Sequence, residues 1–487
     1  MHYLFPRLDK AQCSLLEHLP AAIDAAHPLA SAHRRDLPHA ISDLSLQLTA
    51  ERSALSRPYW VSPRLVSAYL RYFMPWNVVR QARLLAALPL LPPTPLKGED
   101  GSLVPRLLLD AGSGPLTFVL ALWLARPQWR SLPLEVIAMD LSPHILELGR
   151  TIFETIAGKD SPWKIRLKRG GIENLARAGH QSDAAPWLIS AANMLNELKG
   201  EERETRLEEV LEQCAMLMTL PDAQTLFIEP GTRLGGKTIM SLREAAGAYG
   251  LAPLAPCPCT GTCPLLESRT WCHFTFDTQG APAWLNKLSE AARLQKEALS
   301  ISMLLLGVAP EGADNSLDDD APQTPAPTAG SKDVARIVSA PFAVPGLRGH
   351  GRYACTRHGL ALLEDAGSVP SGALCDIIWP EKPCAVDKKS DALIIPMYNH
   401  EQSPRQPEKP VPSPAVDKDR PLYPARKPTA EKRWQEQPRP TATGNAARTG
   451  KGADRTEAPA RPSQKQERPA KKKPVIKSKK EKTYFGK

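Results

Sequence analysis

The sequence predicts an α/β protein built on a Rossmann-like parallel sheet, with a helical region before it and a polar tail behind it. Three observations carry that reading. Over residues 101–310, apolar runs alternate with amphipathic stretches, which is the rhythm of strands joined by crossover helices. Within that span LLLDAGSGPLT, residues 107–117, leads from an apolar run through a glycine turn into a helix-forming segment. Before it, apolar residues recur at helical spacing instead.

Residues 1–100 are expected to be helical. In this region VSPRLVSAYLRYFMPWNVVRQARLLAAL reads as helix interrupted at Pro75, because proline lacks an N–H and its ring crowds the carbonyl four residues back. Residues 101–310 should hold the sheet, with RLLLDAG, LEVIAMD, WLISAAN and TLFIEPG as strands. Helical patterns such as EERETRLEEVLEQCAMLM lie between them and should cover both faces. Residues 311–333 are acidic and rich in Pro and Ala, the composition of a disordered insertion. Order is expected again over 334–397. Residues 398–487 are polar and Pro-rich and end in RPAKKKPVIKSKKEKTYFGK, which reads as a disordered basic arm.

Composition bounds the function. The 487 residues are 42% hydrophobic, enough for a sizeable core, and the 49 prolines gather late in the chain. A net charge of +10 suggests a polyanionic partner, most simply nucleic acid. Lys471, Lys472, Lys473, Lys477, Lys479 and Lys480 of the tail would then contact phosphates with salt-dependent affinity. No apolar run reaches the roughly 18 residues that span a bilayer. The opening MHYLFPRLDKAQCSLLEHLP lacks the basic-then-apolar pattern of a signal peptide. The expectation is a cytoplasmic protein with no membrane partner and with reduced thiols.

The glycine turn reads as a ligand site. Gly112 and Gly114 let the backbone turn tightly and approach a ligand, and the helix that follows offers free N–H groups. Asp110 opens the turn. Asp140 ends the second strand, where an acid can grip ribose hydroxyls. No Gly-Lys-Ser/Thr follows, so this is not a P-loop. S-adenosylmethionine, a nicotinamide cofactor and a plain structural turn all fit this pattern. Asp-x-Gly-x-Gly plus the second acid resembles class I S-adenosylmethionine-dependent methyltransferases. In that family the first acid helps to position the methionine end. The third small residue is usually Gly; here Leu116 departs from it, and the pocket is expected to be tighter. After the fourth strand, methyltransferases acting on exocyclic base amines carry Asn/Asp-Pro-Pro-aromatic. This chain has SAANMLNEL instead. Asn193 is read as lining the cofactor pocket, while Asn196 and Glu197 read equally well as helix-start residues.

Four of the nine cysteines fall in the proline-stiffened loop 256–274, which includes CPCTGTCPLLESRTWCHF. Cys257, Cys263 and Cys272 read as ligands of one metal centre, with Cys355 of GHGRYAC as a distant fourth. Cys259 is an extra thiol in the same loop. Four thiolates suit zinc or an iron–sulfur cluster, and spacing alone does not separate them. Pro258-Cys259-Thr260-Gly261 also looks like the Pro-Cys-x-Gly of RNA cytosine-5 methyltransferases, although there the motif directly follows the fourth strand. Trp271 and Phe274 are expected to shield the centre. His273 is read as a ligand, a hydrogen-bond partner or a packing residue.

Taken together, DAGSGP at 110–115, MLNEL at 194–198, IEPGT at 228–232, CPCTGTCP, WCHF at 271–274 and GHGRYAC at 349–355 resemble the methyltransferase-like assembly factors of the ribosomal small subunit. The resemblance spans about residues 60–360. It implies a class I methyltransferase fold, S-adenosylmethionine as cofactor, and a cluster of the 4Fe–4S type. Its ligands map to Cys257, Cys263, Cys272 and Cys355, with zinc as the alternative metal. The family usually has His where this chain has Cys259, so that thiol can compete for the cluster. The partner implied is the small ribosomal subunit or its rRNA. The activity implied is either methyl transfer to RNA or a catalytically silent assembly role. A zinc-containing methyltransferase of a protein or small molecule is the third reading.

Overall fold

The computed structural model describes residues 3–49, 59–198, 203–266, 268–310, 327–344, 346 and 349–397. All belong to one compact unit, Met1–Arg405. The expectations for most of the acidic insertion, for the tail and for its lysines fall outside the described residues.

The N-terminal region is helical: α1 (Lys10–Ala26), α2 (Ser31–Thr49), α3 (Pro63–Ala68) and α4 (Met74–Ala87). Asp9 and Gln12 form a reciprocal capping box at the start of α1. The break expected at Pro75 is a widened π turn, Tyr69–Phe73, placed just ahead of it, and helix continues on either side. That turn contains Arg71, whose carbonyl the proline ring would otherwise crowd.

Eight strands form the main sheet: β1 (Arg106–Ala111), β2 (Leu134–Asp140), β3 (Trp163–Arg169), β4 (Ala185–Ala192), β5 (Gln224–Pro230), β6 (Leu251–Ala255), β7 (Phe274–Asp277) and β8 (Ala298–Val308). Their spatial order is β3-β2-β1-β4-β5-β8-β6, with β7 paired to the start of β8. β1 to β5 are mutually parallel. β8 runs antiparallel to both β5 and β6. The sheet is therefore Rossmann-like but mixed, a correction to the expected parallel sheet. The reason lies in register: β8 enters beside the end where β5 finishes, Ile301 opposite Pro230, and can only run back.

α5 (Thr117–Ala125), α6 (Pro143–Ala157), α7 (Leu175–His180), α8 (Arg203–Leu217), α9 (Arg233–Ala245) and α10 (Ala283–Ala291) connect the strands. All nine residues of α5 are buried, because α1 and α4 pack over it. The N-terminal helices thus form an outer layer on one side of the sheet. Among the described residues no helix is long and apolar enough to cross a membrane.

A second sheet follows: β9 (Lys332–Ile337), β10 (Phe342–Ala343), β11 (His350–Thr356), β12 (Gly359–Glu364), β13 (Leu374–Ile378) and β14 (Leu393–Pro396), in the order β13-β9-β11-β12-β14 with β10 on β11. It begins two residues ahead of the expected boundary at 334. One face packs Ala335, Ile337, Leu363 and Trp379 into a core of its own. Cys355, Leu360 and Leu362, with Val338 after β9, join the main core instead. This two-faced burial holds β11 against the main sheet.

Candidate functional site

β1 ends at Ala111, and the chain turns through Gly112 (φ 64), Gly114 (φ 53) and Leu116 (φ 56) before α5 begins. Three alternate residues thus adopt left-handed backbone. Glycine does so freely; Leu116 does so at a cost of about 1 kcal/mol. Its side chain is fully buried in the core, which offsets that strain. The expectation that Leu116 narrows a ligand pocket is corrected, since it faces the core.

Asp110 is 1% exposed. Its oxygens accept from Ser113 Oγ at 2.5 Å and Ser190 Oγ at 2.7 Å. Burial pushes its carboxyl up to about 6, against the pull of those two hydroxyls. Asp110 therefore braces the turn from behind, and any contact with a ligand would run through Ser113. Asp140 is more open. Its Oδ2 accepts from Gly114 N at 3.0 Å and its Oδ1 from Ser142 N at 2.9 Å. Each oxygen keeps a lone pair that a ribose hydroxyl can use.

The turn after β4 closes on the glycines. A Cβ on Gly112 would lie 2.8 Å from the Met194 Cβ. Asn193 has a left-handed φ of 60, donates its N–H to Ile228 O at 2.7 Å, and leaves Oδ1 buried without a partner. Leu195 N donates to Glu229 Oε1 at 2.9 Å. The MLNEL and IEPGT segments are thus bonded to each other. Both polar atoms of the Asn196 side chain and Thr117 Oγ1 are also buried and unpartnered among the described residues. Asp110, Gly112, Gly114, Asp140 and Asn193 form one neighbourhood. Its orphaned polar groups suit a ligand rich in hydrogen-bonding atoms, as S-adenosylmethionine is.

The second centre is the cysteine cavity. Cys257, Cys259, Cys263, Cys272 and Cys355 line one small cavity, together with Arg243, Arg336, Phe274 and Met303. Cys355 lies directly across from Arg336 on β9. Arg336 Nε donates to Pro256 O at 2.8 Å, which ties the second sheet to the cysteine loop. Arg243 on α9 donates from Nε to Cys257 Sγ at 3.0 Å and from Nη2 to Gly261 O at 2.5 Å. Glu244 accepts from Cys263 N at 2.9 Å. Close approach matters here: a Cβ on Gly236 would lie 2.3 Å from Trp271 and 2.8 Å from Cys272 O.

All nine cysteines are free thiols. Burial pushes the five cavity thiols up, most strongly at Cys272 and Cys355, while Arg243 pulls against it at Cys257, Cys259, Cys263 and Cys272. Thiols held neutral by burial ionise when a cationic centre binds. A centre held by four thiolates is anionic overall, and Arg243 and Arg336 supply two cations in the same wall. The donor set thus fits a thiolate-held cluster. Among the described residues no group of three or more His, Cys, Asp or Glu side chains is already placed to hold a metal ion.

His273 stands apart from this cavity's lining. It stacks on Trp271 at 5.0 Å, and its Nδ1 lies 3.0 Å from Trp271 O. Trp271 itself covers Gly236 and donates to Gly231 O, so of the two expected shields only Phe274 lines the cavity. Cys375 and Cys384 belong to the separate core of the second sheet. Arg243, Arg336 and Glu229 are not legible as site residues in the sequence, because single charged residues in ordinary helix and strand patterns carry no signal.

A family model described as Rsm22, mitochondrial small ribosomal subunit Rsm22, matches residues 91–288, less than half of the chain. The matched stretch includes the glycine turn and the first four cavity cysteines, but not Cys355. No curated protein matches the chain. Among solved structures, similarity extends to an arsenic(III) S-adenosylmethionine methyltransferase from Chlamydomonas reinhardtii, 15% identical over 50% of this chain and 74% of that one, with a TM-score of 0.26. Magnesium protoporphyrin IX methyltransferase from Synechocystis, with bound SAH, is 12% identical over 42% of this chain and 74% of that one, TM-score 0.25. The methyltransferase CalH in complex with SAH is 15% identical over 60% of this chain and 73% of that one, TM-score 0.30.

Proposed function

We propose that this chain is an S-adenosylmethionine-binding, methyltransferase-like protein that acts with the small ribosomal subunit or its rRNA and holds a 4Fe–4S cluster. The observation that carries the cofactor reading is the gathering of the glycine turn, Asp140 and the unpartnered Asn193 and Thr117 at the carboxyl ends of β1, β2 and β4. Ligands bind at those ends in open α/β sheets. When bound, the cofactor supplies an electrophilic methyl group. Asp140 would hold its ribose, and the Gly112–Gly114 backbone would lie against it. The partner reading is supported by the family description and by the net charge of +10.

Cys257, Cys263, Cys272 and Cys355 are the proposed cluster ligands, and Cys259 is the fifth thiol, 3.9 Å from Arg243 Nη2. A cluster places its thiolates on separate iron corners, whereas a lone zinc draws them to one point. The cluster is what the resemblance to the assembly-factor family implies, and zinc is the alternative. Reduced thiols agree with the cytoplasmic location proposed for the chain. A catalytically silent assembly role is the second reading. It is favoured by Asn193-Met194-Leu195-Asn196, which stands where amine-methylating enzymes carry their substrate-gripping motif.

One preparation tests both centres. Anaerobically purified protein should contain iron, absorb visible light and bind S-adenosylmethionine in calorimetry. Stoichiometric zinc without iron would overturn the cluster, and absence of binding would overturn the cofactor. Labelled methyl transferred to small-subunit rRNA would decide for the enzyme over the silent factor.

A further inference from the structure

Arg80 and Lys296 are cations that the proposed cofactor and cluster sites leave unused. Arg80 lies on α4, near Tyr69 of the π turn. Tyr69 in turn lies close to Glu197 and Asp140. Lys296 lies two residues before β8, whose fourth residue, Ile301, is opposite Pro230 at the carboxyl end of β5. The two cations therefore flank the ends of the strands where open α/β sheets bind ligands.

Among the described residues neither cation has an ion-pair partner. Arg80 Nε is buried without a hydrogen-bond partner. Lys296 Nζ sits 5.8 Å from the ring centroids of both Tyr72 and Trp76, in cation–π contact. Burial, reinforced by the Arg80 charge, lowers its ammonium to about 8. Two like charges, partly desolvated and close together, repel each other. An anion between them would relieve both the repulsion and the orphaned donor.

We propose that Arg80 and Lys296 form a phosphate-binding subsite for the methyl acceptor beside the cofactor pocket. The assignment rests on the reading given under Proposed function. A guanidinium fork beside an ammonium matches the several oxygens of a phosphate. The cofactor's own carboxylate is the competing occupant.

The test uses the full chain and its Arg80→Gln and Lys296→Gln variants. Inorganic phosphate and a short single-stranded RNA are the probes, and S-adenosylmethionine is titrated separately. Phosphate should raise the melting temperature of wild type but not of either variant. Each variant should bind the RNA about tenfold more weakly, the factor for one missing charge-assisted hydrogen bond, with S-adenosylmethionine affinity unchanged. The basic tail is common to all three proteins and cancels in the comparison. A parallel fall in cofactor affinity would assign the anion to the cofactor's carboxylate and overturn the proposal. So would unchanged phosphate and RNA binding in folded variants. If Arg80→Gln fails to fold, Lys296→Gln carries the same readouts. Failure of wild type to bind S-adenosylmethionine would remove the cofactor reading, while the phosphate titration would still decide the subsite.

Discussion

Arg243 donates its Nε–H to the Cys257 sulfur at 3.0 Å, and the same guanidinium reaches the carbonyls of Cys259 and Gly261. One buried cation on α9 thus organises the first half of the cysteine loop. Burial alone would depress its proton affinity, and the neighbouring sulfurs of Cys257, Cys263 and Cys259 more than reverse that. Replacing Arg243 by Ala should destabilise the protein by about 3 kcal/mol, since it strands several charge-assisted bonds. Iron recovered after anaerobic reconstitution should fall, and protease should cut within 257–263. Arg243→Lys should keep the charge but not the fork, and recover only part of the iron. Full iron content in Arg243→Ala would mean the loop is organised by its prolines alone.

Cys355 tests whether the second sheet completes the centre. It comes from β11 and lines the same cavity as the four loop cysteines. Cys355→Ser should lower iron content and expose the 332–397 segment to protease. Cys375→Ser and Cys384→Ser should do neither, because both thiols sit in the separate core. Equal iron in all three variants would remove Cys355 from the ligand set.

The glycine turn makes a steric prediction. Gly112→Ala places a methyl 2.8 Å from Met194 Cβ on a backbone with φ 64. The variant should lose about 1–2 kcal/mol of stability from the left-handed backbone and bind S-adenosylmethionine more weakly. Adding Met194→Ala shortens the opposing side chain and should restore part of the binding but not the backbone cost. Calorimetry and melting curves separate the two effects. Unaltered affinity in the folded single variant would place the ligand elsewhere.

Much of this architecture can be read from the residues. β1, β2, β4 and β5 are apolar runs that end at Asp, Asn or Gly, so their type and order are legible. α5 is less so, because TFVLALWLA is buried on every side and lacks an amphipathic stripe. β3 hides behind WKIRLKR, an edge strand whose exposed basic residues look like loop or helix surface. β8 is apolar enough to be seen, but its direction depends on where β5 ends, which is a tertiary fact. The second sheet is built of short strands, from two to seven residues, that are too brief to show a strong period. The loop cysteines announce a shared centre through proximity in sequence, and Cys355 through the resemblance. The arginines that neutralise the centre have no such signal.

The basic arm predicts a salt effect. Deleting residues 468–487 removes Lys471, Lys472, Lys473, Lys477, Lys479 and Lys480. RNA affinity should fall, and its logarithmic dependence on salt should flatten by about 0.7 for each single-strand phosphate that the arm no longer neutralises. Filter binding across a salt series measures that slope. An identical slope for the truncated chain would leave the arm without a role in binding.

Asp110 should give the protein a characteristic pH dependence. Its carboxyl is 1% exposed, and burial raises its proton affinity from the ordinary 3.8 to about 6. Between about pH 4 and 6 the folded state therefore holds a proton that the unfolded state has released. Folding stability should fall as pH rises through that window and stay about 3 kcal/mol lower above it. Asp110→Asn removes the ionisation and keeps a carbonyl for one serine and an amide for the other. Denaturant unfolding without cofactor, at steps from pH 4 to 7.5, isolates the effect as the difference between the two proteins. The variant should match or trail wild type at pH 4 and exceed it at pH 7. If the difference is flat, or favours wild type at pH 7, the carboxylate is stabilised by Ser113 and Ser190 more than burial penalises it. The brace behind the glycine turn would then depend on the charge itself.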